Sequence, residues 1–135
     1  MKMRRAVLVA LVVPSCLGLL GAGKQQTDSV PSFKTNVMPI LQKYCLPCHA
    51  EESFNPSELA LDDHARLMKG GEHGPAVVPG KPEESLLVKK VMADPPFGKQ
   101  MPVRKRRKPE EKPVQLTEDE VQVLREWVKA GAKND

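Results

Sequence analysis

Three features of the amino-acid sequence predict an all-α fold. Apolar residues over 33–44 recur at the spacing of a single helix face, and a Thr-x-x-Glu box at Thr117–Glu120 opens a second such stripe near the far end. Nowhere in the 135 residues does a run alternate apolar and polar side chains as a half-buried strand would. A chain of this length makes one small domain plus whatever processing removes.

The first element rests on Phe33, Val37, Ile40, Leu41 and Tyr44, at i, i+4, i+7, i+8 and i+11, with Ser32 as the expected N-cap. Pro39 falls inside that pattern and takes away one backbone donor, so a kink or a late start is expected there. Residues 51–61 read as loop. Asp62 to Lys69 is a short helix stopped by Gly70-Gly71. The stretch GEHGPAVVPGKP at 71–82 holds too many glycines and prolines to be regular. Pro82 suits the first turn of a third helix, with Leu86, Leu87 and Val91 facing inward. After a loop, ADPPFGKQMP, comes a basic insertion at about 103–115. The last helix has the clearest start: Thr117 and Glu120 form the box, and Leu116 and Val121 stand at the positions of a hydrophobic staple. Val121, Leu124, Trp127 and Val128 are its buried stripe, and Gly131 is its stop.

Ahead of these elements, MKMRR is followed by an apolar run over 6–20 and by Gly21-Ala22-Gly23, the layout of a secretory signal peptide over residues 1–23. A flexible leader over 24–32 follows it. The apolar run is too short and interrupted for a membrane span. Val13-Pro14-Ser15-Cys16 also loosely resembles a lipobox, a second reading in which an acylated Cys16 attaches the chain to a membrane. Either way the chain is expected in the periplasm or cell envelope. Residues 1–23 hold Lys2, Arg4 and Arg5 and no acid, so their removal leaves 18 basic residues against 17 acidic and lowers the net charge from +4 to +1. The basic balance is therefore no argument for a nucleic-acid partner.

Cys45, Cys48 and His49 make a C-x-x-C-H run, YCLPCHA. Such a run can attach haem, hold zinc, or cycle as a disulfide. A thioredoxin-like disulfide sits after a buried strand in a βαβ setting, and this run follows a helix pattern instead. A zinc site needs a second ligand pair, and His64 and His73 stand nine apart, outside the usual spacing. Haem attachment fits best: the two-residue gap lets one turn of chain present both sulfurs along one porphyrin edge, and the next residue brings its imidazole beneath the iron. Cys45 and Cys48 are then attachment points and His49 an axial ligand. The mature chain has few aromatic residues, and a large apolar cofactor would make up its core.

A low-spin electron carrier needs a sixth ligand, and a methionine thioether raises the reduction potential. Met38 and Met68 lie in helix patterns, and Met92 ends the third helix, where packing explains all three. Met101 stands between prolines in PPFGKQMP, a stiff loop able to hold a sulfur over the haem. His64 or His73 supplying a second imidazole is the alternative.

Taken in order, FKTNVMPILQKYCLPCHA, LALDDHARLMKGGEHGPAVVPGKPEESLLVKKV, MP and LTEDEVQVLREWVKAGA resemble the planctomycete-type cytochrome c domain over residues 33–131. The resemblance implies a small class-I-like cytochrome c fold, in which N- and C-terminal helices pack together around one covalently bound haem c with long loops. It also implies attachment through Cys45 and Cys48, His49 as proximal ligand and Met101 as distal ligand. Val103 departs from the second proline usual after M-P, and the 103–115 insertion is longer than the usual connection.

With both axial positions filled, the expected function is an exported electron carrier and not an enzyme, docking transiently with a redox donor and acceptor. The basic run Arg104-Lys105-Arg106-Arg107-Lys108 would favour acidic ones. The competing readings are a haem enzyme or sensor with an open or labile sixth position, and a non-redox interaction module of the envelope.

Overall fold

The computed structural model describes residues 29–46, 48–103 and 114–135. The signal peptide, Cys16, most of the leader and the basic residues 104–113 lie outside them. Among the described residues there is no β-strand, only one isolated bridge between Gly71 and Gly74. The fold is all-α.

A π-helical turn over Phe33–Val37 leads directly into α1, Met38–Tyr44. This is how the chain accommodates Pro39, which falls in the first turn of α1. A proline ring inside an α-helix meets the carbonyl four residues back, and the wider turn relieves that clash while keeping the apolar face continuous. Val37 and Leu41 are fully buried, with Phe33, Ile40 and Tyr44 nearly so. Ser32 occupies the N-cap position but its side chain does not cap. Its hydroxyl donates to the Asp135 backbone oxygen (3.0 Å), and the Asp135 carboxylate takes the Phe33 N–H (2.9 Å), so the far end of the chain caps the first turn.

α2, His64–Lys69, begins two residues later than the expected Asp62. Asp63 is its cap, accepting the Arg66 N–H at 2.8 Å. Gly70 ends it at φ 81°, and a Cβ there would lie 2.3 Å from the Gly74 carbonyl oxygen, so only glycine fits. α3, Leu86–Val91, also starts late: Pro82 lies in a preceding turn and Ser85 takes the cap position. Ser85 is fully buried because its hydroxyl ties the preceding loop together, accepting the Val78 N–H (2.8 Å) and donating to Lys81 O (2.9 Å).

α4, Glu118–Lys129, starts at Thr117 with both halves of the capping box formed. Its buried face, Leu124, Trp127 and Val128, closes the core. The Trp127 ring lies 5.6 Å from Phe33 and 6.0 Å from His64 between centroids, and Phe33 and His64 meet edge-on at 5.0 Å. The N-terminal turn, α2 and α4 thus join at one aromatic cluster, worth roughly 0.5–1.5 kcal/mol per pair beyond area burial. Val121 is only partly buried, packed at the edge of the core.

Candidate functional site

The helices leave an apolar cavity of about 520 Å³ between the end of α1, the loop after it, α3 and the loop after α3. A volume of this order suits a cofactor-sized molecule. Cys45, Cys48, His49 and Met101 all line it, so four residues spread over 57 positions of chain reach one space. Cys45 and Cys48 are not joined in a disulfide. Among the described residues no group of three or more His, Cys, Asp and Glu side chains converges as a metal site.

Local folding explains the placement of the cysteine run. Cys45 and Leu46 both donate to Leu41 O (2.8 and 3.0 Å), and His49 N donates to Cys45 O (3.1 Å), so the turn at the end of α1 carries on to the histidine. The imidazole is then fixed from the far side: His49 Nδ1 lies 3.1 Å from the Leu59 carbonyl oxygen. A carbonyl can only accept, so Nδ1 carries the proton and Nε2 keeps its lone pair. The pairing is reinforced by the Leu61 N–H, which donates to His49 O at 2.7 Å. This is the arrangement a metal-ligating histidine needs, because a hydrogen bond at one ring nitrogen orients the other and raises its basicity. Thiols not joined in a disulfide, an imidazole oriented by a backbone carbonyl, a thioether and apolar walls together suit a covalently held iron porphyrin.

Met101 comes from a loop anchored to α3. Its N–H donates to Lys90 O (2.7 Å), and the Gln100 side chain donates to Val91 O (2.8 Å). His73 and Phe97 line the cavity beside it with rings 4.4 Å apart. His64 does not line it. It opens α2, inside the stretch expected to be helical, and its Nε2 donates to Ala132 O at 2.7 Å. Of the other methionines, Met38 and Met68 pack against the core as expected. Met92 does not: it is exposed, beside Arg125.

Tyr44 joins the cavity wall to α4. Its hydroxyl donates to Glu120 Oε2 (2.7 Å), and Lys43 Nζ reaches Glu120 Oε1 (2.9 Å). Burial alone would raise the Glu120 pKa. The Thr117 N–H, the Tyr44 hydroxyl, the Lys43 ammonium and the Thr117 hydroxyl outweigh it and bring the carboxyl down to about 2.

Residues 45–102 match the family model of planctomycete cytochrome C. This segment is a planctomycete-type cytochrome c domain. The match begins at the first cysteine of the run and ends at Pro102, next to Met101. The helices on either side, which the sequence resemblance included, lie outside the matched interval. The match to a cytochrome c family suggests a haem-binding domain, which agrees with the chemistry of the cavity. Comparison with curated proteins and with solved structures found no match.

Sequence reasoning missed two contributors to the cavity, the Leu59 carbonyl and Lys90, while His73, offered only as an alternative ligand, does line it. For Lys90 a signal existed, since it stands four residues after Leu86 and three after Leu87 on the inward side of α3. A backbone carbonyl such as that of Leu59 leaves no trace in residue type.

Proposed function

We propose that the chain is an exported c-type cytochrome that carries single electrons through one covalently attached haem c. The observation behind this reading is the convergence of Cys45, Cys48, His49 and Met101 on one apolar cavity, with the histidine tautomer set by Leu59. In this reading Cys45 and Cys48 hold the porphyrin through thioethers, and His49 Nε2 and Met101 Sδ are the axial donors. The haem, when bound, supplies a one-electron change between ferric and ferrous iron. The chain's residues do the rest. Leu59, Leu61, Ala76, Leu87 and Val91 line the cavity with hydrocarbon and exclude water. Leu59 O keeps the proton on His49 Nδ1 and so favours the imidazole as donor. With both axial positions taken by side chains no substrate site is left, which argues for a carrier over an enzyme. The packing of Phe33 on Trp127, joining the N-terminal turn to α4, supports a class-I-like arrangement.

Donor and acceptor would be redox proteins of acidic surface, drawn to the basic run 104–108 and docking near Phe97 and Val103, which are exposed at the cavity. Export by the 1–23 signal peptide puts the carrier in the periplasm or cell envelope, with acylation of Cys16 as the route to a lipid anchor.

The test is to express the chain in a host with haem-attachment machinery. Exported protein is expected to be coloured, to exceed the polypeptide mass by one haem, and to show a weak long-wavelength sulfur-to-iron band when oxidised. Met101→Ala should lose the band and Met92→Ala should keep it. Colourless protein of bare polypeptide mass refutes the reading.

A further inference from the structure

The Lys90 side chain holds the Met101 loop at several points at once. Its ammonium donates to Phe97 O at 2.6 Å and to Lys99 O at 2.8 Å, and it lies 4.5 Å from the centre of the Phe97 ring. Its own carbonyl accepts the Met101 N–H at 2.7 Å. Both ends of this residue therefore bear on the five residues that lead to Met101. Gly98, between the two bonded carbonyls, sits at φ 59°, a left-handed turn that lets both oxygens face the ammonium. Phe97 is in turn flanked by His73 on the facing loop, with ring centroids 4.4 Å apart. The loop has little other purchase on the protein. Asp94, Pro96, Phe97, Gly98 and Lys99 are exposed, and none belongs to the buried core.

We propose that Lys90 is the positioning residue of the Met101 loop: its ammonium pins the carbonyls of Phe97 and Lys99 and so keeps the Met101 sulfur at the cavity. This inference rests on the reading of Met101 as an axial ligand. Lys90 does not itself donate to the iron. An ammonium bonded to two carbonyls and placed over a ring makes charge-assisted contacts, each stronger than a neutral hydrogen bond. Without it the loop keeps the Met101 N–H and Gln100 anchors to α3 backbone at 90 and 91, the ring contact of Phe97 with His73 and the buried Pro102. The thioether is a weak donor and depends on being held in place.

The experiment uses the full-length, haem-loaded protein and the variants Lys90→Leu, Lys90→Ala, Lys89→Ala and Met101→Ala. Lys90→Leu keeps an apolar stem against Phe97 and loses only the donors, so it guards against simple misfolding of the alanine variant. Lys89→Ala removes the same charge one position away. Two signals are read: the sulfur-to-iron band of the oxidised protein, and the rate of carbon monoxide uptake by the reduced protein. Lys90→Leu and Lys90→Ala are expected to weaken the band and speed uptake by about tenfold or more, since losing each of the two hydrogen bonds from the charged group implies about that factor. Lys89→Ala should match wild type in both. If Met101→Ala loses the band while Lys90→Leu keeps full intensity and the wild-type rate, the positioning role is wrong and the ligand reading stands. An equal effect from Lys89→Ala overturns it as well, since net charge would then explain the change. A band that survives Met101→Ala refutes the ligand reading, and the role of Lys90 falls with it.

Discussion

Replacing Glu120 with glutamine should remove a pH-dependent part of the stability, and the structure sets its size. The folded carboxyl titrates at about 2 against an ordinary 4.5. Because the folded pKa is depressed, the unfolded chain takes up the proton first as pH falls. The stabilisation is therefore complete above the ordinary value and is lost as pH drops from about 4.5 through about 2. At 1.36 kcal/mol per pKa unit the full effect is about 3 kcal/mol at neutral pH. The Thr117 N–H contributes most to the lowering, the Tyr44 hydroxyl next and the largely exposed Lys43 after it. Linkage places about 2 kcal/mol of the loss between pH 7 and pH 3, and solvent at the partly exposed side chain lowers this to about 1–2 kcal/mol. The assay is urea unfolding of haem-loaded wild type and Glu120→Gln at both pH values. The glutamine keeps the shape and an acceptor for Tyr44 while removing the titration, so carboxylates elsewhere cancel in the comparison. The stability gap between the two proteins should shrink by that amount at pH 3. A gap that stays constant with pH would refute the argument.

On the proposed attachment, Cys48→Ser should leave one thioether and one free vinyl group, so the denatured chain still carries the mass of one haem while its absorption shifts to longer wavelength. His49→Leu removes the tautomer-fixed donor and should turn the spectrum of any haem-bearing product from low to high spin. Trp127→Ala opens the cluster with Phe33 and His64 and strands the Lys133 carbonyl that the indole N–H meets at 2.9 Å, so a loss of about 3–5 kcal/mol is expected in urea unfolding. Gly70→Ala places a methyl against the Gly74 carbonyl at a positive φ and should lower the melting temperature by several degrees, whereas Gly74→Ala meets open space and should be milder.

Where a residue's position follows from neighbours close in sequence, the sequence disclosed it. Thr117 and Glu120 cap α4 as their spacing demands, and the apolar stripes of α1 and α4 are buried as their period requires. Pro39 was legible as a disturbance, but its form was not. A π turn and a kink both answer the missing donor, and only packing against α4 chooses between them. Pro82 and Asp62 misled in the same way: each suits a first helical turn by propensity, yet tertiary contacts at Ser85 and the Asp63 cap start those helices later. In the cytochrome c site the cysteines, His49 and Met101 announce themselves by residue type and spacing. His64 and His73 look alike in sequence and part in space, one held in the aromatic cluster and the other at the cavity, because loop paths over 50–80 depend on contacts far along the chain.

The acceptor that fixes His49 belongs to the main chain, and this governs how the protein can drift. No single amino-acid replacement at position 59 deletes a carbonyl, so imidazole orientation is shielded from point mutation at that residue. Insertions or deletions between 50 and 59 are another matter: they would shift the oxygen away and release the ring. In the proposed carrier, evolutionary tuning of the midpoint voltage through this histidine should therefore proceed by changes in loop length and at Asn55, whose side-chain amide donates to the same Leu59 oxygen.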